Sequence, residues 1–139
     1  MGIEENKALA ARWTEEVWNK GNMAAIDEIC APNFSFNYAF PRMPSNKEGY
    51  KQVVTAYRAG FHNMHLTNEI VIAEGDKVAI RWRGQSTHQG AFMGIPPTGK
   101  QVTMTGNTIA RIEGGKIVEE FTEMDGLGMM QQIGAMPSG

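Results

Sequence analysis

Apolar residues fall at helical spacing near the start of the chain and at every second position through most of its second half. In the first segment Ile3, Leu9, Ala10, Trp13, Val17 and Trp18 form a stripe that predicts one amphipathic helix over residues 4–20. Acidic residues open it and Lys20-Gly21 closes it, in keeping with the helix dipole and a glycine C-cap. Asn22 can cap a short second helix over 23–29, which Pro32 ends. Residues 34–40 alternate aromatic with small or polar side chains, the pattern of a half-buried strand. Ser45-Asn46-Lys47-Glu48 reads as a capping box for a third helix over 46–59, with Tyr50, Val53, Val54 and Tyr57 on one face.

From Leu66 onward the period changes to two. Leu66, Ile70 and Ile72 alternate with polar residues up to the turn Glu74-Gly75-Asp76. Val78, Ile80 and Trp82 alternate with Ala79, Arg81 and Arg83. Two further strands, over 102–112 and 116–125, flank Glu113-Gly114-Gly115, and a short helix holding Leu127, Met129, Met130 and Ile133 follows. Helices first and antiparallel strands after them predict an α+β fold in which a curved sheet carries helices on one face. The 139 residues, without repeat or linker, predict a single domain spanning 1–139.

The segment from His88 to Lys100 breaks the alternation. Pro96-Pro97 removes two backbone donors, and Phe92, Met93 and Ile95 are too apolar for a solvated loop. It reads as a fixed connection whose apolar part folds back onto the domain.

A three-residue loop at Glu113-Gly114-Gly115 would pair Ile112 with Lys116, Ala110 with Val118, Thr108 with Glu120 and Gly106 with Thr122. One face then holds Met104, Gly106, Thr108, Ala110, Val118, Glu120, Thr122 and Met124, and Ile109, Ile117 and Phe121 lie on the other. A two-residue Gly-Gly loop would mix the two sets, because a one-residue slip inverts every side chain. On the first register Glu120 sits among small and apolar groups. A carboxyl there tends to keep its proton, which suits a general acid or base near neutral pH. The alternative is a solvated Glu120, or one paired with Arg81 or Arg83. His88 shares parity with Val78, Ile80 and Trp82, so it either reaches a pocket rim or holds the proline loop by a backbone hydrogen bond. Asp125 reads as the N-cap of the last helix. Trp13, Tyr38 and Phe40 are core candidates that could also contact a ligand.

Composition narrows the function. A net charge of -2 gives no footprint for nucleic acid or an anionic membrane. With Cys30 as the sole cysteine and no HExxH pattern among three histidines, no metal site is expected. No leader or membrane-spanning run is visible, so a cytoplasmic setting is expected. Ten methionines are enough to line an adaptable apolar pocket.

One pattern is specific. His88-x-Gly90-x-Phe92-x-Gly94-Ile95-Pro96-Pro97-Thr98-Gly99-Lys100 resembles the hallmark of the SnoaL-like polyketide cyclase, or ester cyclase, family. The similarity continues through residues 111–119 and Asp125-x-Leu127-Gly128-x-x-x-Gln132-x-Gly134, and at the front end through Trp18-Asn19-Lys20-Gly21-Asn22, 26–29 and 31–34. It implies a cone-shaped α+β barrel of the nuclear-transport-factor-like superfamily, with a strongly curved, mostly antiparallel sheet around a pocket closed by N-terminal helices. It implies intramolecular aldol cyclisation of a polyketide-like ester without metal or cofactor. The resemblance puts the family's catalytic aspartate on Thr122, and its histidine and glutamine neighbours on Thr108 and Gly106. Glu120, two residues earlier on the same face, then stands in as acid/base, with His88 and Thr122 positioning the carbonyl. Trp13, Tyr38, Phe40, Trp82, Phe92, Met104, Thr108 and Met124 are the expected substrate contacts. The alternative is a non-catalytic binding or assembly domain of the same fold. The face with Ile109, Ile117 and Phe121 is the expected surface for a homodimer or higher homo-oligomer.

Overall fold

The computed structural model describes residues 2–37 and 43–137. In chain order they form α1 (Ile3–Arg12), a π-helical segment (Trp13–Asn19), α2 (Met23–Ile29), β1 (Cys30–Asn37), α3 (Lys47–Gly60), β2 (Phe61–Glu74), β3 (Lys77–His88), β4 (Gln101–Glu113), β5 (Lys116–Met124) and α4 (Gly126–Gln132). Among the described residues the strands make one sheet in the order β1-β5-β4-β3-β2. Each pair is antiparallel except β1 with β5, which is parallel. The expected α+β layout is therefore present, with the parallel edge strand making the sheet mixed. No helix among the described residues is long and apolar enough to cross a membrane.

The helices cover the sheet with the faces their spacing marks out. On α3, Tyr50, Val53, Val54 and Tyr57 are buried at i, i+3, i+4 and i+7. Its cap is Asn46 rather than the Ser45 of the expected capping box: the Asn46 side chain accepts the Gly49 N–H at 2.9 Å. The first helix is not α-helical to its end. After Arg12 the turns widen, and Lys20 N–H donates to the Glu15 carbonyl five residues back. The first strand begins at Cys30, earlier than the alternation indicated, and takes in Pro32. Pro32 is tolerated because β1 is an edge strand and its register with β5 shifts between Cys30 and Ser35.

The last hairpin corrects the expected loop. Glu113 pairs with Lys116 across a two-residue Gly114-Gly115 turn, and both glycines take positive φ, 56° and 77°. The register then shifts at Val118, so that Arg111 faces Glu119, Ala110 faces Glu120, Thr108 faces Thr122 and Gly106 faces Met124. The extra residue restores the parity that the short turn would have inverted. Glu120, Thr122 and Met124 thus share the inner face with Gly106, Thr108 and Ala110, although the partners differ from those expected. Ile117 is not on the outer face: it and Val118 are both buried, which the bulge makes possible.

The proline loop folds back as expected. The N–H groups of Gln89 and Gly90 both donate to the Gly60 carbonyl at the end of α3. Phe92 is buried against Tyr57 and Phe61, with ring centroids 4.8 and 5.0 Å apart. Met93 departs from the expectation and stands exposed at the tip. A Cβ at Gly90 would lie 2.0 Å from the Ala59 carbonyl oxygen, a backbone atom that cannot step aside cheaply. Gly90→Ala is therefore expected to lower stability by about 1–3 kcal/mol, the usual range for overpacking. Urea unfolding of the variant beside the wild type measures it, and an unchanged midpoint would show that the loop is not clamped here.

Candidate active site

Between the helical layer and the inner face of the sheet lies a cavity of about 60 Å³. The π segment supplies Trp13, Thr14 and Trp18 to its roof, and α3 supplies Tyr50, Val53 and Tyr57. The sheet supplies Met64 and Leu66 from β2, Ile80 and Trp82 from β3, Met104 and Thr108 from β4, and Glu120, Thr122 and Met124 from β5. The wide turns matter here. In an α-helix residues five apart point to well-separated faces, whereas i to i+5 bonding stacks them, so Trp13 and Trp18 both turn inward.

Glu120 is the charged side chain that this apolar chamber holds, and it is 4% exposed. Its carboxyl is surrounded by donors. The Trp13 indole N–H donates to Oε2 at 3.1 Å and the Thr122 hydroxyl donates to Oε1 at 2.8 Å. Thr122 is itself 2.9 Å from the Thr108 hydroxyl, which accepts the Trp82 indole N–H at 3.0 Å. Because the indole can only donate, the chain runs one way, from Trp82 through Thr108 and Thr122 to the carboxylate. The Tyr50 hydroxyl lies near Glu120 in the same lining and accepts the Trp18 indole N–H at 3.0 Å. Phe34 and Phe36 hold the Tyr50 ring edge-on at 5.7 and 5.2 Å. Among the described residues no arginine pairs with Glu120: Arg83 is committed to Glu69 at 3.2 Å, and the residues flanking Trp82 alternate to the other face of β3.

Burial is the main influence on the Glu120 carboxyl and raises its pKa from the ordinary carboxylate value, with the bonds from Thr122, Tyr50 and Trp13 pulling the other way. The Tyr50 phenol is pushed well above its usual range by burial and then by the neighbouring Glu120 charge, so it remains an O–H donor. The Cys30 thiol is raised by burial, which disfavours its thiolate form. Among the described residues no group of three His, Cys, Asp or Glu side chains is arranged to hold a metal ion.

Of the residues expected at the site, Glu120, Thr122, Trp13, Trp82, Met104, Thr108 and Met124 meet at the cavity. Two others lie elsewhere. His88 is fully buried outside the lining, its ring stacked on Phe61 at 5.2 Å, and its Nδ1 receives the Thr98 backbone N–H at 3.3 Å beside the Thr98 hydroxyl at 3.0 Å. Its backbone pairs with Gly99 and Lys100, so it closes the proline loop. Phe92 packs behind Tyr57 and does not line the cavity. Tyr38 and Phe40 lie outside the described residues. Sequence reasoning missed Trp18, Tyr50 and Tyr57, assigning them to the hydrophobic stripes of their helices. The available signal was the polar atom that each carries on a buried face, which must find a partner there.

The raised carboxyl makes stability depend on pH in a definite direction. The folded-state pKa of Glu120 lies above the unfolded one, so its contribution is complete below the ordinary carboxylate range and is lost as pH rises through the folded value. The stability of the wild type relative to Glu120→Gln should therefore fall as pH is raised above about 4.3, the unperturbed glutamate value. Urea unfolding of both proteins across pH measures this, and a constant difference would mean that Glu120 titrates as it does in the unfolded chain.

The SnoaL-like polyketide cyclase model matches residues 8–133. Among solved structures, IdmH from Streptomyces antibioticus, a candidate polyketide cyclase, is 30% identical over 93% of this chain and 98% of its own, with a TM-score of 0.79. A candidate polyketide cyclase from Acidithiobacillus ferrooxidans is 31% identical over 96% of this chain and 97% of its own, with a TM-score of 0.80. AclR from Streptomyces galilaeus, a candidate hydroxylase, is 25% identical over 99% of this chain and 86% of its own, with a TM-score of 0.88. None of the curated proteins matches the sequence. The family match spans both the helices and the sheet that enclose Glu120, and the chain belongs to the SnoaL-like polyketide cyclase family.

Proposed function

We propose that the protein is a cofactor-free enzyme acting on a small, apolar, polyketide-like carbonyl compound, with Glu120 as its acid/base. The observation that carries this reading is a buried carboxyl of raised pKa facing an apolar cavity, its other side filled by fixed donors. Glu120 removes a proton from the carbon alpha to the carbonyl, and the electron pair of that C–H bond becomes the enolate. The Tyr50 hydroxyl, which accepts the Trp18 indole N–H and keeps its own proton, stands near the carboxyl as a donor for the developing oxyanion. The enolate carbon then attacks a second carbonyl carbon of the same molecule. One C–C bond forms, the attacked C=O becomes an alkoxide, and Glu120 returns the proton to that oxygen. Isomerisation uses the same first half and returns the proton to carbon. Met104, Met124, Ile80 and Leu66 keep the walls apolar, which strengthens these interactions.

The protein is also proposed to form a homodimer through the outer face of the sheet. Ile72, Ala79, Ile109 and Phe121 are register partners across β2, β3, β4 and β5, giving one apolar row with Ile72, Ile109 and Phe121 exposed. A two-fold axis along the strands would lay the row on a copy of itself, Phe121 over Ile72 and Ile109 over Ala79. Light scattering should give a dimer that Ile109→Lys converts to monomer; a wild-type monomer at working concentration would remove the proposal.

Deuterium incorporation alpha to the carbonyl, followed by NMR over a panel of ketones and polyketide-like esters, tests the chemistry. Incorporation should occur in the wild type and fall at least about 100-fold in Glu120→Gln, the lower end of what a positioned acid/base contributes. Bound ligand without incorporation would leave a binding domain, and equal rates in the two proteins would remove Glu120 from the mechanism.

A further inference from the structure

The cavity around Glu120 does not end at its own walls. Tyr57, Thr122 and Met124 have a second side that faces an outer groove of about 340 Å³. The groove is walled by Met93 at the tip of the proline loop, by Leu127, Met129 and Met130 of α4, and by Met136. Among the described residues Met124 and Tyr57, whose hydroxyl lies 3.5 Å from the thioether sulfur, stand with Thr122 between groove and cavity, and methionine is an adaptable side chain. The α4 wall is a fixed structure. The Gln132 side-chain amide pairs with both backbone groups of Thr103, at 2.8 Å each, where β5 has already ended, and Asp125 caps the helix by accepting the Gly128 N–H at 2.8 Å.

Size and chemistry then restrict the occupant. The inner cavity admits little more than a few water-sized groups, so a ligand longer than that with its carbonyl against Glu120 would extend past Met124 into the groove that shares this wall. The groove wall is built of thioethers and one leucine, its carboxylate is Glu123, and no lysine, arginine or histidine is among its described lining residues. An anionic tail would meet the Glu123 carboxylate with no counter-charge among the described lining residues, whereas a neutral hydrocarbon tail would be covered. We infer that the methionine groove is a second subsite for the same ligand, that it takes a neutral apolar tail, and that Met124 with Tyr57 gates the passage between tail and carbonyl sites. The inference rests on the proposed carbonyl chemistry, whose substrate class it narrows to elongated molecules with a reactive carbonyl at one end.

The test is a titration with straight-chain 2-alkanones of increasing length, read by tryptophan fluorescence, since Trp13, Trp18 and Trp82 all line the cavity. Linear alkanes and ω-carboxylated ketones of matched length run beside them. Affinity should rise by up to about fourfold per methylene once the chain passes the cavity. The gain should vanish in Leu127→Glu, a substitution at a largely exposed position, while four-carbon ketones bind as before. The carboxylated ketones should show no gain. Methionine methyl NMR of the wild type should show shifts at Met93 and Met130 only with the long ligands. Short ketones that bind without any dependence on length, or long ones that leave those methyls unmoved, would overturn the groove and leave the carbonyl reading standing. Alkanes that fill the groove while no ketone shows Glu120-dependent exchange would keep the groove and end the carbonyl reading. No binding by any of the three series would overturn both.

Discussion

The contact between the Trp13 indole and the Glu120 carboxyl joins residues 107 positions apart, one in the helical roof and one in the sheet floor. A carboxyl taken out of water is costly unless its oxygens find donors. This one finds them only if the π segment, α3 and β5 all stand where they do. The Trp13 ring is also packed on Tyr50 at 5.0 Å, and the Tyr50 hydroxyl accepts the Trp18 indole N–H. Roof and floor are thus joined through the Glu120 carboxyl.

The inner face of β3 and β4 is shaped to complete that arrangement. Gly106 has no side chain, and a Cβ there would come within 2.4 Å of the Trp82 ring. The gap lets the indole lie across β4 and donate to Thr108. The resemblance to the cyclases places their aspartate, histidine and glutamine at Thr122, Thr108 and Gly106. Here those positions hold two hydroxyls and an empty space filled by Trp82, with the acid two residues away on the same strand face. At these positions small residues carry hydrogen bonds towards the Glu120 carboxyl.

Much of this was legible in the chain. Period-two alternation put Val78, Ile80 and Trp82 on one face, and the pairing of Thr108, Thr122 and Glu120 on the inner face followed from parity. The reason given for that parity was not the operative one, since a two-residue turn plus a bulge yields the same face as a three-residue loop. Alternation counts only odd and even, and two compensating irregularities cancel. The π segment left no mark because hydrophobic spacing at 13, 17 and 18 fits either helix within so short a run. His88 was ambiguous for a related reason. Inward parity places a side chain under the sheet without saying how far along the strand the cavity reaches, and His88 lies beyond its end.

The direction of the hydrogen bonds limits what the site can do with a proton. Among the described residues the hydrogen bonds leading away from Glu120 end at indoles, at Trp13 directly and at Trp82 through Thr122 and Thr108. An indole N–H donates and cannot accept, so neither end takes a proton from the carboxyl. The open side of Glu120 is the cavity. On the proposed acid/base chemistry, a proton taken from a ligand there would be held until the ligand took it back. Chemistry that removes and returns one proton on a single molecule, as cyclisation and isomerisation do, fits that proposal.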